Sequence, residues 1–239
     1  GEITEALEAY GKRVAKIAKQ FSGFIFTAKS PSCGMERVKV YREDGKGATS
    51  DGVGIFAREI MNANPLLPCE ENGRLNDPII RENFVARVFA YRQWQELEAS
   101  GITKHKLIQF HSTFKYTVMS HSQKAYKELG RLLAGNSLSI YELAQTYISG
   151  LMNALKIKAT RKGHANTLQH IQGYFSHHLS KEQREELCQQ IDAYRTGLMP
   201  LMVPLTLIKH YLLSFPKPYL AKQFYLSPYP EQLKLRYGY

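Results

Sequence analysis

Residues 29–36 read Lys-Ser-Pro-Ser-Cys-Gly-Met-Glu, and this polar stretch lies between the apolar run 23–26 and the alternating run 37–41. An apolar run that stops at proline and glycine is typical of a buried strand that ends in a tight loop. Proline fixes its own φ, and glycine permits turns that other residues do not make. The pattern predicts two hydroxyls and a thiol at a strand end, where α/β folds usually place ligands. The alternative is a turn whose cysteine is incidental.

The segments around this loop predict an α/β arrangement in residues 1–77. Residues 3–19 have apolar side chains at helical spacing, and residues 53–62 have a similar, shorter pattern. A polar turn is predicted at 43–47, after the second strand. Helix, strand, loop, strand and helix form an α/β pattern. Because sheets usually have more than two strands, we interpret this part as the second half of an α/β domain with a partial parallel-type sheet.

The rest of the chain, residues 78–239, predicts a mostly α-helical bundle, so the expected fold class is α+β overall. A proline-bounded connector at 65–78 leads to Asp77, a capping carboxylate followed by proline at the start of a helix that ends near Ala99. Ser139 and Ser180 begin sequences with capping-box spacing. The proline- and tyrosine-rich tail from Phe215 is expected to wrap the bundle. The other predicted helices cover residues 103–119, 122–134, 138–156, 160–179, 181–197 and 200–214.

The net positive charge of the chain comes entirely from its second part. The net charge is +11, residues 1–100 are neutral overall, and all eight histidines lie after residue 100. A neutral part joined to a basic part suggests two tasks, and the basic part is a candidate for binding a polyanion. The accompanying 15 Tyr and 11 Phe favour nucleic acid, because bases stack on aromatic rings. A basic surface that only aids solubility is the alternative.

Cysteine usage and hydropathy indicate a cytoplasmic protein. Cys33, Cys69 and Cys188 are far apart and odd in number, which argues against a disulfide framework. Cys69 falls in the predicted connector, and Cys188 in a predicted helix. No run of 18 apolar residues and no secretory signal is present in the sequence, so we expect no membrane partner.

A cationic cluster at 158–164 marks the start of one predicted helix. It includes Lys158, Arg161, Lys162 and His164, and helix N-termini favour phosphate. Helical periodicity places Arg161 and His164 on the apolar stripe, partly covered, and His170 on the opposite, exposed face. A buried Arg–His pair satisfied by backbone carbonyls is the alternative.

Further basic and aromatic residues alternate elsewhere in the second part. Lys115 lies one turn after Phe110-His111, and Lys209 precedes His210-Tyr211. Histidine spacing typical of a metal site is absent from the sequence, as is a glycine-rich phosphate loop. A serine–histidine–aspartate set cannot be assigned.

The sequence resembles two known families. The first part resembles the C-terminal half of the thiouracil desulfurase family. This resemblance lies in residues 24–41, in Gly54-Ile55-Phe56-Ala57 and in the segment 65–75. The second part, from about residue 84, resembles the YbgA-like helical family. This resemblance lies in Leu129-Gly130-Arg131 and in the segments 160–175 and 203–211. The combined arrangement is similar to bacterial proteins that remove sulfur from 4-thiouridine in tRNA. The resemblance divides the chain into domains at 1–77 and 78–239.

The resemblance to the desulfurases implies a [4Fe-4S] cluster held by three cysteines, with one iron free to take the thiocarbonyl sulfur. Cys33 matches the last ligand of the family, and Ser30 matches a serine that assists proton transfer. We also take Ser32 as a candidate catalytic hydroxyl. The family's other two cysteine ligands, and an acidic residue, belong to an N-terminal half that has no counterpart in these residues. We therefore expect the 239 residues to be incomplete for holding the cluster and for catalysis.

The leading hypothesis is an Fe–S-dependent tRNA desulfurase whose helical domain binds RNA. Two alternatives remain: a desulfurase of free thiolated nucleobases, and a non-catalytic nucleic-acid-binding module in which Cys33 is incidental. The residues that we interpret as RNA-binding are Lys115, Arg131, Lys158, Arg161, Lys162, His164, His170 and Lys209.

Overall fold

Two units make up the chain, residues 1–92 and 93–239, and the boundary between them falls inside one helix. The computed structural model describes residues 2–42 and 47–236. Most of the polar turn predicted at 43–47 lies outside the described residues. The predicted domain boundary at 77/78 stays a prediction.

In its described residues, the first unit contains two complete α-helices, the beginning of a third, and two small sheets. Its elements are α1 (Glu2–Ala18), β1 (Phe24–Phe26), β2 (Val38–Tyr41), β3 (Ala48–Gly52), α2 (Ile55–Ala63), β4 (Cys69–Glu71) and the first part of α3 (Pro78–Ala99). Strand β1 pairs in parallel with β4, and Phe24 lies opposite Cys69. Strand β2 pairs antiparallel with β3. The chain is thus α+β, with a two-stranded parallel sheet near its N-terminus.

The sequence patterns missed two strands of this unit. Strand β3 reads Ala-Thr-Ser-Asp-Gly and β4 reads Cys-Glu-Glu, and neither alternates apolar and polar residues. Both form because backbone pairing with β2 and β1 satisfies their amide and carbonyl groups. The placement of Cys69 in a connector was wrong, because its side chain is buried on β4 with Phe26, Ala57 and Ile60.

The second unit is helical, as the apolar periodicity predicts. After α3 it contains α4 (Lys104–His121), α5 (Gln123–Ala134), α6 (Ile140–Lys156), α7 (Arg161–Gln172), α8 (Lys181–Thr196), α9 (Met202–Ser214) and α10 (Pro218–Ala221). Its core includes the only tryptophan of the sequence, Trp94, which packs edge-on against Phe110. The helix predicted over 160–179 ends early, at Gln172, where a 3₁₀ turn (Gly173–Phe175) begins.

Capping side chains define several helix starts as the sequence predicts. Asp77 Oδ1 accepts hydrogen bonds from the amides of Ile79 and Ile80. Both predicted capping boxes, at Ser139 and Ser180, are formed.

The tail also packs on the bundle as expected. The Phe224 amide donates to the Thr113 carbonyl, and Tyr225 and Leu226 are buried in the core. Among the described residues, no helix has both the length and the apolar character that crossing a membrane requires.

Candidate functional site

The loop between β1 and β2 brings the two candidate serines and Cys33 into one hydrogen-bonded chain. Ser30 Oγ lies 3.1 Å from Ser32 Oγ, which lies 3.3 Å from Cys33 Sγ. The Cys33 amide donates to Ser30 Oγ at 3.2 Å, which closes the loop on itself. All three residues are half-buried, so they remain accessible from solvent. The loop therefore holds a thiol next to two hydroxyls that can pass a proton.

Helix α2 holds this loop through its first backbone amides. The Ser32 carbonyl accepts from the amides of Phe56 at 2.9 Å and Ala57 at 3.3 Å, and the Gly54 amide donates to the Gly34 carbonyl. These bonds replace a side-chain cap, which α2 lacks. A Cβ on Gly54 would lie 2.4 Å from the Ser32 carbonyl oxygen, so the close approach requires glycine.

Strand β4 fixes the far side of the loop through the buried carboxylate of Glu71, beside which lies that of Glu70. Glu71 is 3% exposed, and its Oε1 accepts from the Met35 amide at 2.9 Å. Glu70 Oε1 accepts from the Glu71 amide and from Arg74 Nε at 2.7 Å. Sequence reasoning gave these acids no role. The signal available was a pair of consecutive acidic residues after an apolar segment, which is weak without the fold.

The backbone conformation at both ends of the loop is unusual. Lys29 has φ of 59° and Arg37 has φ of 56°, in the left-handed region that non-glycine residues rarely adopt. Each such residue costs about 1–3 kcal/mol and persists only where its surroundings enforce it. The bonds to α2 and β4 supply that enforcement, so the loop geometry is specified rather than incidental.

The described cysteines do not form a complete cluster site. Cys69 is buried in the first unit's core, and Cys188 is exposed on α8, where Gln172 Nε2 lies 3.0 Å from its sulfur. Cys33 is partly exposed and lies beside the Ser32 hydroxyl, in the loop that also holds Ser30. Within the described part of the chain, no three His, Cys, Asp or Glu side chains are placed to hold a metal ion together. The residues present therefore fit one thiolate ligand of an Fe–S cluster and not the whole set.

The start of α7 carries a second candidate site, built from cations and tyrosines. His164 is buried, and its Nδ1 lies 2.9 Å from the hydroxyl of Tyr225. Arg161 packs over the Tyr194 ring and donates to the Tyr194 carbonyl at 3.0 Å. Arg236 donates to the Tyr225 carbonyl. Burial, and then the charges of Arg236, His121 and Arg161, hold the pKa of His164 well below its usual value.

The periodicity of α7 predicts the exposure of two of its three key residues correctly. His164 is buried and His170 is exposed. Arg161 is exposed overall, and only its guanidinium is covered as predicted, where it packs over the Tyr194 ring and donates to the Tyr194 carbonyl. Tyr225 and Arg236 were missed, because they lie in the tail and no local pattern connects them to α7.

The remaining predicted RNA-binding residues occupy several places on the second unit. Lys158, Lys162 and Arg131 are exposed. Lys115 is half-buried, with its ammonium 5.8 Å from the centroid of the Tyr126 ring. Lys209 pairs with Glu231, which neutralises part of its charge, and it lines a small cavity together with Arg236.

Two family models match the chain. Residues 1–72 match the model described as 2-thiouracil desulfurase, and residues 115–230 match the model described as a protein of unknown function, DUF1722. No solved structure matches the chain significantly.

A relative with clear sequence similarity is the "Uncharacterized protein YbgA" of Escherichia coli (strain K12). It is 32% identical over 159 residues, which cover 66% of this chain and 94% of that protein. Identity of this extent over nearly the whole relative shows common descent. The chain therefore belongs to the YbgA family and carries, ahead of that region, a 2-thiouracil desulfurase-like segment.

Proposed function

We propose that the chain belongs to an enzyme that removes sulfur from thiolated uridine, namely 4-thiouridine, in tRNA. The observation that carries the proposal is the hydrogen-bonded chain Ser30–Ser32–Cys33 within the segment that matches the desulfurase family. The Cys33 thiol is held in a defined position, because its loop is bonded to the first amides of α2 and to Glu71 on β4. Desulfuration requires a sulfur-accepting centre and a route for protons, and this loop offers a part of each.

Cys33 supplies one thiolate to a [4Fe-4S] cluster in this proposal. The other ligands come from outside the described residues, because Cys69 is buried in the core and no three metal-binding side chains lie together in the described part of the chain. Ser30 and Ser32 transfer protons between the reacting group and solvent through their hydroxyls. Glu71 acts as a positioning residue, since it holds the loop through the Met35 amide.

The second unit binds the RNA in this proposal. Lys158 precedes α7, and Arg161, Lys162 and His170 lie on this helix, whose N-terminus adds a positive dipole end. Arg131, Lys115 and Lys209 extend the basic surface, with Lys209 weakened by its pairing with Glu231. His164 is neutral at physiological pH, so it shapes the site through its bond to Tyr225 instead of contributing charge.

A salt titration of tRNA binding tests the RNA-binding role. We expect affinity to fall steeply between about 50 mM and about 300 mM salt, because phosphate contacts release counterions. The variant R161A/K162A is expected to bind more weakly and to lower the salt slope by about one per lost contact. The control is K181A, on α8, which removes an exposed lysine that pairs with Glu185. Binding no stronger than that of an acidic control protein would refute the role.

A turnover assay separates the candidate substrates. The protein is prepared with the chain extended by the N-terminal half of a desulfurase domain, and thiolated tRNA is compared with free thiouracil. Preference for thiolated tRNA supports the proposal, whereas equal or better turnover of thiouracil favours the free-base alternative. The variant C33A is expected to lose both the brown colour of the Fe–S cluster and the turnover. If both are unchanged, Cys33 is no ligand and the chain is better described as a nucleic-acid-binding module.

A further inference from the structure

Four tyrosines and a lysine from separate parts of the second unit converge on one place. They are Tyr116 on α4, Tyr126 on α5, Tyr174 in the 173–175 turn, Tyr219 on α10, and Lys115. The Tyr174 and Tyr219 rings are stacked, with centroids 5.9 Å apart and planes 20° apart. Tyr116 meets Tyr219 edge-on at 6.3 Å. The contact between Tyr116 and Tyr219 joins distant parts of the sequence, so the cluster belongs to the tertiary fold.

Hydrogen bonds hold the rings of this tyrosine cluster in place. Tyr116 and Tyr174 are hydrogen-bonded through their side chains, and Tyr219 is hydrogen-bonded to Ser112. Tyr116 is 3% exposed, and burial, followed by the bond to Tyr174, raises its pKa above the usual value. The cluster is thus a rigid group of packed phenol rings beside the Lys115 ammonium. Its rigidity means that a ligand loses little affinity to ordering the site.

Tyr174 presents an open aromatic surface at the edge of the cluster. It is 39% exposed although one face of its ring packs on Tyr219. Tyr174 is therefore open to solvent in part while its ring is stacked on Tyr219. A planar ring placed there would continue the stack begun by Tyr219 and Tyr174.

A groove adjoins the cluster and shares Tyr219 with it. The groove has a volume of about 870 Å³ and is also lined by Lys222, Ser112 and Gln223. Gln223 is 2% exposed, and its Nε2 donates to the Ser112 carbonyl while its Oε1 has no hydrogen-bond partner among the residues that the structure describes. A buried acceptor without a donor is costly. A ligand with an N–H group in this groove is one way to satisfy that acceptor.

We propose that the tyrosine cluster is a stacking platform for an unpaired nucleobase of RNA, received on the open face of Tyr174. The inference rests on the RNA-binding role proposed above and specifies which part of the RNA is recognised. Bases in a duplex are covered on both faces, so only a loop, bulge or end can supply this base. Lys222 lines the same groove as Tyr219, Lys115 acts on Tyr219 electrostatically, and both attract the phosphates that flank the base.

The test uses RNA hairpins that carry the fluorescent base 2-aminopurine either in the loop or in the stem. We expect binding to quench the loop probe and to leave the stem probe unchanged. The variant Y174L is expected to lose the quenching and to bind the hairpin roughly ten-fold more weakly, because one stacked base is lost. The control is Y141L, which removes a 72% exposed tyrosine from α6 and is expected to behave like the unaltered protein.

A second variant separates stacking from folding. Y174W keeps an aromatic ring but removes the hydroxyl that bonds to Tyr116, and it is expected to retain quenching. If Y174L binds and quenches like Y141L while the salt dependence stays steep, the platform is wrong and the RNA-binding role stands. If Y174W loses quenching together with Y174L, the hydroxyl and not the ring is responsible, which also overturns the platform. If the unaltered protein binds neither hairpin, both proposals fail.

Discussion

The imidazole of His164 and the phenol of Tyr225 form a buried pair, with Nδ1 2.9 Å from the hydroxyl oxygen. The pair joins the beginning of α7 to the tail of the chain, 61 residues later. Burial, and then the charges of Arg236, His121 and Arg161, lower the pKa of His164. The site therefore stays positive while its central histidine is neutral, and it depends on a tail that contributes both Tyr225 and Arg236.

The first prediction concerns the pH dependence of stability. Because the pKa of His164 is lowered in the folded state, the unfolded chain takes up a proton below about pH 6.5 that the folded chain does not. Stability is thus fully present above that pH and falls as the pH decreases. His111, whose pKa is lowered to about 4 by burial and by Lys115, acts in the same direction. The urea midpoint measured by Trp94 fluorescence is expected to decrease between about pH 7.5 and about pH 5.

The variant H164Q isolates the contribution of the buried histidine. Its midpoint is expected to change less with pH than that of the unaltered protein, whereas H170Q, which alters an exposed histidine on the same helix, is expected to keep the full change. An equal pH dependence in H164Q and H170Q would show that His164 takes up its proton in the folded state.

The second prediction concerns the Tyr225 hydroxyl itself. Y225F leaves the ring packing of a 1% exposed residue in place and removes only the group that bonds His164. We expect a loss of about 1–3 kcal/mol of unfolding free energy, because the buried imidazole nitrogen loses its partner. Y229F is a control in the same tail, since Tyr229 is less buried and its ring stacks with Arg236. A loss no larger in Y225F than in Y229F would contradict the importance of the pair.

Helix positions were predictable from sequence because each depends on residues a few positions apart. The apolar stripe of α7 and the capping boxes at Ser139 and Ser180 are local patterns, and the structure confirms the capping boxes and the burial of His164. Strand β4 was not predictable, because Cys-Glu-Glu becomes a buried strand only through pairing with β1. Its periodicity carries no β signal.

The candidate site was predictable only where it is contiguous in sequence. Ser30, Ser32 and Cys33 lie within four positions, so a single loop prediction brings them together. Glu71 lies 36 positions after Met35, whose amide it binds. Tyr219 contacts Tyr174 although α8 and α9 separate them in the sequence. Such contacts depend on tertiary packing, and a single sequence holds no local pattern for them.

The third prediction concerns the hold of β4 on the Cys33 loop. E71A removes the acceptor for the Met35 amide. We expect it to lower the free energy of unfolding by about 1–3 kcal/mol and to make the loop more mobile. E71Q keeps a carbonyl oxygen at the same place and is the matched control. Modification of Cys33 by a thiol reagent, measured with Cys188 replaced by serine, should be faster in E71A than in E71Q. Equal rates in the two variants would mean that the Glu71 bond does not hold the loop.

The last prediction concerns the contact between the end of α4 and the beginning of α7. A Cβ on Gly163 would lie 2.2 Å from the carbonyl oxygen of Ser120, which is backbone and cannot move aside without shifting a helix. We therefore expect G163A to lower the free energy of unfolding by about 1–3 kcal/mol, because the added methyl group overpacks the contact. Gly130 is also helical, but nothing lies within 4 Å of its added Cβ, so G130A is expected to stabilise α5 by about 0.5–1 kcal/mol. The two substitutions add the same methyl group, and only their surroundings differ. Urea unfolding followed by Trp94 fluorescence should give midpoints that move in opposite directions, and a shared direction would show that the α4–α7 approach is looser than the structure indicates.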